Sequence, residues 1–208
     1  MRTLWKGAMT RKYITNSNTV IDWNELIASL ENIEGRSYGY VTEYEYESTL
    51  SRIDEEGNNN LEYDYLRDPQ GEINKAYAET PDSLEFISYT RDNAYSKDID
   101  KKIGKLLGCK VFLSWVSKVN PGKCVAPHID DEEIYFANSK HPKEKLVRYH
   151  IHVSKPSMGA AFFIGDDAYH AEEQGSVFQW PAIDSIHCGM NAGIKPKFLY
   201  HVLGVIDE

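Results

Sequence analysis

Long apolar runs are missing from this sequence, and their absence excludes a large class of proteins. No run of the chain has the roughly 20 apolar residues that a membrane-spanning helix needs. The first twelve residues carry positive charge, but they lack the continuous apolar segment of a secretory signal. We therefore expect a cytoplasmic protein with no membrane partner.

Cysteine is scarce as well. The three residues, Cys109, Cys124 and Cys188, form an odd number with no close pairing motif. A disulfide framework or a zinc knuckle would need pairs at short, regular spacing. We expect reduced and mostly buried thiols, which agrees with a cytoplasmic location.

Basic residues are outnumbered by acidic ones. Lys and Arg number 23 against 32 Asp and Glu, which gives a formal charge of −9. Non-specific nucleic-acid binding depends mainly on neutralising phosphates with Lys and Arg, so we expect no nucleic-acid partner. No internal repeat or low-complexity linker divides the 208 residues, and this length suits a single domain with a substantial core.

Two helices are predicted in the first half of the chain. Asp22 is a candidate N-cap with Glu25 three residues later, and Gly35 ends the apolar periodicity that follows. We expect this helix to pack on the outside of a barrel. The second predicted helix runs from Ser96 to Gly108 and carries one apolar stripe. The stripe consists of Ile99, Ile103, Leu106 and Leu107.

The stretch between the helices, residues 35–80, is polar and rich in tyrosine. Its alternating run Gly39–Tyr46 indicates a strand, and its acidic tip Asp54–Asn60 indicates a solvated loop, since calcium ligands at alternate positions are lacking. The tyrosines fit one face of a sheet that packs on the core, and they also fit a surface that grips a substrate. Both interpretations stay open.

From Cys109 the chain becomes a series of short strands separated by Gly, Pro and Asp turns. This pattern predicts a mainly β fold, a jelly roll formed by residues 109–208, with residues 1–108 as a helical and irregular extension that packs on it. The predicted strands are Lys110 to Val119, Cys124 to Asp130, Leu146 to Ser154, Gly159 to Ile164, Gly175 to Trp180, Asp184 to Cys188 and Lys197 to Ile206.

One of these strands ends in a histidine and a carboxylate two residues apart, His128 and Asp130. Side chains on a strand alternate, so both lie on the same face. With a third ligand from a distant strand, for which His187 is our candidate, they would form the facial set of two histidines and one carboxylate that suits Fe(II). A second such pair, His170 and Glu172, lies in a segment of turn residues, Gly165 to Gly175, and a hairpin tip is the better interpretation there.

These motifs carry a resemblance to a known family. His128 and Asp130, the strand of Arg148, Tyr149 and His150, and His187 followed ten residues later by Lys197 resemble the aspartyl/asparaginyl β-hydroxylase branch of the 2-oxoglutarate- and Fe(II)-dependent oxygenases. The resemblance covers roughly residues 110–207. It implies a double-stranded β-helix, and it implies Fe(II), the cosubstrate 2-oxoglutarate and O2 as the reactive partners.

The resemblance also implies roles for individual residues. The iron ligands would be His128, Asp130 and His187, and the cosubstrate would be held by four residues. These are Arg148, His150, Lys197 and Ser117, the last of which stands eleven residues before the first ligand. The family usually has an arginine where this chain has Lys197. Whether Lys197 or Arg148 binds the far carboxylate of 2-oxoglutarate therefore stays open, with Lys197 as our assignment.

Other histidines and aromatic residues of the strands have less definite roles. His150 and His152 share a face of their strand, and we favour His150 as the functional one. His201 is expected to be structural. Trp180 and Met190 are candidates for lining a pocket, although core packing explains them equally well.

Three other kinds of protein remain open on the sequence. A cupin-type protein could bind a metal through the same ligands without oxygen chemistry, a binding module would need no open metal position, and a zinc hydrolase is a further alternative. Arg148 and Lys197 are the features that favour a dicarboxylate cosubstrate. The substrate class expected from the resemblance is an amino acid, a peptide or another small molecule.

Overall fold

Eleven β-strands and two α-helices make up the described part of this computed structural model, which comprises residues 11–33, 35–38, 86–90, 97–128, 145–165, 167–170, 172–180 and 187–206. The helices are α1 (Trp23–Leu30) and α2 (Lys97–Leu107). The strands are β1 (Lys12–Asn16), β2 (Arg36–Tyr38), β3 (Phe86–Thr90), β4 (Cys109–Val119), β5 (Lys123–His128), β6 (Leu146–His152), β7 (Ala160–Ile164), β8 (Asp167–His170), β9 (Ser176–Trp180), β10 (His187–Asn191) and β11 (Lys197–Ile206).

The strands form two antiparallel sheets. The larger sheet has the order β1-β9-β6-β11-β4-β3-β2, and the smaller one has the order β5-β10-β7-β8. From β4 onward consecutive strands lie in different sheets, except for β7 and β8, which pair with each other in the smaller sheet. Eight strands connected in this way form a jelly roll. The predicted fold class, a mainly β double-stranded β-helix, is confirmed.

Most predicted strands are present within two residues of their expected ends, but two segments differ. The strand expected at Asp184 to Cys188 extends to Asn191, and its described part, His187–Asn191, begins at the ligand candidate His187, while residues 184–186 lie outside the described residues. The segment Gly165 to Gly175, expected to be a hairpin tip, contains strand β8. This strand lies at the edge of the smaller sheet and is mostly exposed, so it lacks the apolar alternation by which strands are recognised.

The N-terminal extension adds strands as well as helices to the fold. Strand β1 pairs with β9 at one edge of the larger sheet, and β2 and β3 continue the sheet beyond β4 at its other edge. The strand predicted at Gly39–Tyr46 and the acidic tip Asp54–Asn60 lie outside the described residues. So does the remainder of the tyrosine-rich stretch after residue 38.

Helix α1 packs on the outer face of the larger sheet. Its N-cap Asp22 accepts hydrogen bonds from the backbone N–H groups of Asn24 (3.0 Å) and Glu25 (3.2 Å). Leu30, the last residue of the helix, is fully buried in the same core cluster as Tyr200 of β11. The helix ends at Leu30, before the predicted stop at Gly35, and residues 31–33 continue the chain as turn and bend.

Helix α2 is fixed to the same face by a buried carboxylate. Asp100 accepts hydrogen bonds from the hydroxyl of Ser114 on β4 (2.7 Å) and from that of Tyr200 on β11. Ile103, one turn further along the helix, is fully buried in the core cluster. The outer face of the larger sheet is thus covered by helices, and its other face is left to form the interior of the jelly roll.

Removing the carboxylate of Asp100 should destabilise the protein markedly. In Asp100→Ala two buried hydroxyl groups lose their acceptor, and we expect unfolding to become easier by about 3 kcal/mol. The matched control is Asp98→Ala, which removes a carboxylate whose ion pair with Lys101 is exposed, so its effect should be below about 0.5 kcal/mol. Urea denaturation of both variants measures the difference, and equal stabilities would contradict this role of Asp100.

The described residues include both predicted helices and all three cysteines. Neither described helix combines the length and the apolar character that a bilayer-spanning helix requires. Within the described residues the three cysteines form no disulfide; Cys109 is buried, and both Cys124 and Cys188 are partly buried. Burial raises the pKa of Cys124, and it also raises the pKa of Cys188.

Candidate functional site

Two of the predicted iron ligands occupy opposed positions on neighbouring strands. His187 begins β10, and in the register of the antiparallel pair it lies directly opposite His128, the last residue of β5. Directly opposed positions lie on the same face of a sheet, with Cβ atoms about 5 Å apart. Two residues 59 positions apart in sequence are therefore cross-strand neighbours. The side chain of His128 and all of Asp130 lie outside the described residues.

The predicted cosubstrate residues share the interior face of the larger sheet. Lys197 is on β11, Arg148 and His150 are on β6, and Ser117 is on β4. In the register His150 lies opposite His201, and Ser117 lies opposite Leu199. Leu199 and His201 are two and four residues from Lys197 at alternate positions of one strand, so all of these positions are on one face. The four cosubstrate candidates are all buried.

Aromatic rings line the space between this face and the smaller sheet. The ring centroid of Trp180 lies 4.6 Å from that of His187, and Phe162 of the smaller sheet lies 4.7 Å from His150. The guanidinium carbon of Arg148 lies 3.8 Å from the centre of the Trp180 ring. Apolar walls exclude water, and charges interact more strongly in such surroundings. Trp180 thus lines the interior, whereas Met190 is 38% exposed and does not.

Lys197 is a buried cation with an unusual environment. It is only 6% exposed, and its ammonium group donates a hydrogen bond to the carbonyl oxygen of Ala161. Desolvation lowers the pKa of this lysine to about 7. Among the described residues no carboxylate forms an ion pair with it. A buried ammonium without a counter-ion is unfavourable, so this position is suited to an anionic ligand.

The separation between the ammonium group of Lys197 and the position of His187 follows from the spacing of residues on β10. A Cβ atom placed on Gly189 would lie 3.5 Å from the ammonium nitrogen of Lys197. Gly189 follows His187 by two residues and lies on the same face of the strand, which corresponds to about 7 Å. The ammonium group is therefore separated from the histidine position by about the length of a five-carbon dicarboxylate.

Ser117 and His201 form a hydrogen-bonded pair on the same interior face. The hydroxyl of Ser117 lies 2.8 Å from Nε2 of His201, whose ring stacks on Trp115 with centroids 4.8 Å apart. The sequence predicts a structural role for His201, and this stacking agrees with one. Its bond to a cosubstrate candidate also places it beside the site, which its isolated position in the sequence could not show.

Arg11 belongs to the interior and is not identified by any sequence motif. Its side chain is 4% exposed, its guanidinium group lies beside the rings of His150 and His152, and it forms an ion pair with Glu172. The second histidine–acid pair of the sequence, His170 and Glu172, is thus divided between two roles. Glu172 binds the guanidinium group of Arg11, whereas His170 is exposed. The described residues contain no group of three His, Cys, Asp or Glu side chains that could hold a metal.

The two interior histidines predict an acid-sensitive fold. Burial, followed by the nearby His152 and Arg11, holds the pKa of His150 well below 6.5, and burial and Lys197 lower the pKa of His152 to about 3. Both stay neutral in the folded protein while the unfolded chain takes up protons below about pH 6.5. Stability should therefore be lost as the pH falls below that value.

This pH dependence can be measured by urea denaturation at pH 7 and pH 5. In the metal-free protein, the loss of stability between the two pH values should be about 2 kcal/mol smaller for His150→Phe than for the wild type. The control is His170→Phe, which replaces an exposed histidine and should keep the wild-type loss. An unchanged loss in His150→Phe would contradict the buried neutral state of His150.

Comparison with known proteins finds neither a matching family model nor a similar curated sequence. Among solved structures, the chain is similar to a collagen prolyl hydroxylase of Paramecium Bursaria Chlorella virus-1 in complex with 2OG, with 13% identity over 85% of this chain and 98% of that one and a TM-score of 0.42. A prolyl-4-hydroxylase of Pseudomonas putida is 11% identical over 90% and 100% of the two chains, with a TM-score of 0.38. A protein of Thermotoga maritima described as a predicted oxalate decarboxylase is 16% identical over 58% of this chain and 81% of that one, with a TM-score of 0.32.

Proposed function

We propose that this protein is a 2-oxoglutarate- and Fe(II)-dependent dioxygenase that hydroxylates an unactivated C–H bond. The observation that carries the proposal is the combination of two features in one interior space. His128 and His187 occupy opposed positions on β5 and β10, and the buried ammonium group of Lys197 lies about one dicarboxylate length away. A metal-binding pair and an anion-binding cation at this separation suit a chelating dicarboxylate.

The metal would be held by His128, Asp130 and His187, the facial set of two histidines and one carboxylate that Fe(II) oxygenases use. When bound, the iron and 2-oxoglutarate supply the oxidising chemistry with O2, and the protein contributes binding, orientation and a dry cavity. Trp180, whose ring contacts that of His187, would restrict the orientation of this histidine. The aromatic walls would exclude water from the reacting region.

The far carboxylate of 2-oxoglutarate would be bound by Lys197, with the Ser117 hydroxyl as a further donor. Arg148 and His150 would bind the carboxylate nearer the metal. Two contacts support this division. Arg148 lies against Trp180, which touches His187, whereas the ammonium group of Lys197 lies beside Gly189, two residues further along the same strand. Arginine is the better bidentate partner for a carboxylate, and lysine offers a point charge.

We propose an amino acid, a peptide or a related small molecule as the substrate, and hydroxylation of an Asp or Asn residue as the reaction to test first. The support is the motif resemblance of residues 110–207, together with a net charge of −9 that disfavours nucleic acid. The alternative is a cupin-type protein that binds a metal without oxygenase activity. That alternative does not need two cations for a dicarboxylate, so Arg148 and Lys197 are the residues that distinguish the two functions.

Turnover of 2-oxoglutarate tests the proposal without knowledge of the substrate. Oxygenases of this kind oxidise the cosubstrate slowly in the absence of substrate, so we expect Fe(II)-dependent formation of succinate that is stimulated by peptides containing Asp or Asn. Zinc in place of iron is the matched control and should give no succinate. Iron binding without any succinate formation would contradict the proposal and favour the cupin-type alternative.

A further inference from the structure

Arg11 holds a fixed position inside the jelly roll. Its guanidinium carbon lies 3.7 Å from the centre of the Tyr169 ring and 3.6 Å from that of Phe178. Tyr169 belongs to the smaller sheet and Phe178 to the larger one, and the ion pair with Glu172 lies beside them. Stacking on two rings and pairing with a carboxylate leave this arginine little freedom to move.

One nitrogen of this guanidinium group contacts two histidines. Nη1 lies 3.2 Å from Nε2 of His150 and 3.4 Å from Nε2 of His152. Arginine has hydrogen-bond donors only, so both Nε2 atoms must accept, and the two hydrogens of Nη1 serve one histidine each. A neutral imidazole that accepts at Nε2 carries its proton on Nδ1.

The Nδ1 atom of His150 provides an independent observation. His150 is fully buried, and among the described residues its Nδ1 has no hydrogen-bond partner. Leaving a buried N–H group without an acceptor is unfavourable. The ring lies among Phe162, Phe178 and Trp180, which offer no strong acceptor. A ligand oxygen in the interior would satisfy this donor.

We propose that Arg11 is a positioning residue, which holds His150 in the Nδ1–H tautomer so that Nδ1 donates a hydrogen bond to a carboxylate oxygen of the bound dicarboxylate. The identity of that ligand rests on the proposed function, whereas the tautomer rests on the contacts of Arg11. The opposite tautomer would turn a lone pair toward the carboxylate and weaken binding. Arg11, which precedes β1, thereby determines the tautomer of His150 on β6.

The tautomer can be read directly by NMR. Long-range ¹H–¹⁵N spectra of the metal-free protein distinguish protonated from unprotonated imidazole nitrogens, and His150→Phe identifies the signals of His150. We expect protonated Nδ1 and unprotonated Nε2 in the wild type, and a shift toward the Nε2–H form in Arg11→Met. Lys12→Met, which removes an exposed cation from the same segment, should keep the wild-type pattern. A wild-type His150 protonated at Nε2 would overturn the proposal.

A variant of the ion pair separates positioning from simple structural support. Glu172→Gln removes the charge that anchors Arg11 but keeps the guanidinium group, so the protein should lose stability while His150 keeps the Nδ1–H form. Arg11→Lys keeps the charge and N–H donors, so it should retain the Nδ1–H form that Arg11→Met loses. If Arg11→Met does not fold, the tautomer of the wild type and that of Glu172→Gln provide the test. Loss of the tautomer in Glu172→Gln, with Arg11 intact and the protein folded, would contradict the assigned role.

Calorimetric titration of the zinc-loaded protein with 2-oxoglutarate tests the consequence for binding. The expected loss of affinity in Arg11→Met is about tenfold, with no change in Lys12→Met. Equal affinities of Arg11→Met and the wild type would overturn the positioning role. A wild type that has the Nδ1–H tautomer but binds no 2-oxoglutarate would instead contradict the proposed function and leave the tautomer assignment standing.

Discussion

Replacing His187 by alanine should abolish 2-oxoglutarate turnover. The position opposite His128 makes His187 the ligand that closes the proposed iron site, and the loss of a direct ligand should lower iron affinity by more than about 100-fold, since even residues behind the ligands contribute 10- to 100-fold. Succinate formation and iron binding, measured side by side, should fall together.

The matched control is His170→Ala, because His170 is an exposed histidine on β8, the edge strand of the same sheet, and belongs to the rival histidine–acid pair. This variant should bind iron and turn over 2-oxoglutarate like the wild type. His187 is 5% exposed and packs on Trp180, so thermal denaturation of both variants is needed to show that they are folded. Wild-type turnover in a folded His187→Ala protein would exclude it as an iron ligand.

Replacing Lys197 by methionine should have opposite effects on ligand affinity and on stability. Methionine keeps a long flexible side chain but removes the charge, so we expect the Kd for 2-oxoglutarate to rise about 100-fold. The metal-free protein should at the same time become more stable by about 1 kcal/mol or more. The wild type buries an ammonium group that has no carboxylate partner among the described residues, and the variant avoids this cost. A merely structural lysine would not combine a gain of stability with a loss of binding.

Two variants make this prediction specific. Lys197→Arg keeps the positive charge and should restore most of the binding, while Lys195→Met removes an exposed cation two residues earlier and should change neither property. Isothermal titration calorimetry gives the affinities, and urea denaturation gives the stabilities. Unchanged binding of 2-oxoglutarate by Lys197→Met would remove this residue from the site.

Binding of 2-oxoglutarate should also be coupled to proton uptake by Lys197. Because desolvation lowers its pKa to about 7, this lysine is mostly neutral at pH 8 in the free protein. A bound carboxylate would raise the pKa again, so binding at pH 8 should take up close to one proton. Titrations in buffers of different ionisation enthalpy measure this uptake, and it should be lost in Lys197→Met.

Much of the architecture could be predicted because the signals are local. Apolar residues alternating between turn residues indicate the strands of the jelly roll, and the sequence Asp22 to Glu25 indicates where α1 begins. Strand β8 could not be found in this way, since an exposed edge strand carries polar residues at most of its positions. Strand β1 is likewise an edge strand, and its pairing with β9 joins distant parts of the chain.

The site, like the fold, could be predicted only where the sequence signal is local. His128 and His187 were predicted from a short motif and a resemblance, but their opposed register emerges only when β5 and β10 pair. Arg11 shows what local patterns miss, because its polar partners lie 139 to 161 residues further along the chain. A single arginine near the start of a sequence carries no sign of such contacts, whereas the fold brings it between two rings.

The measurement that tests the proposed function most directly is an anaerobic titration with Fe(II) and 2-oxoglutarate, followed by visible absorption. We expect the weak charge-transfer band of the iron–2-oxoglutarate chelate only when both are present, and we expect it to be absent in His128→Ala and shifted to higher cosubstrate concentrations in Lys197→Met. Iron binding that is indifferent to 2-oxoglutarate, with no band in the wild type, would contradict the oxygenase and leave a metal-binding cupin-type protein.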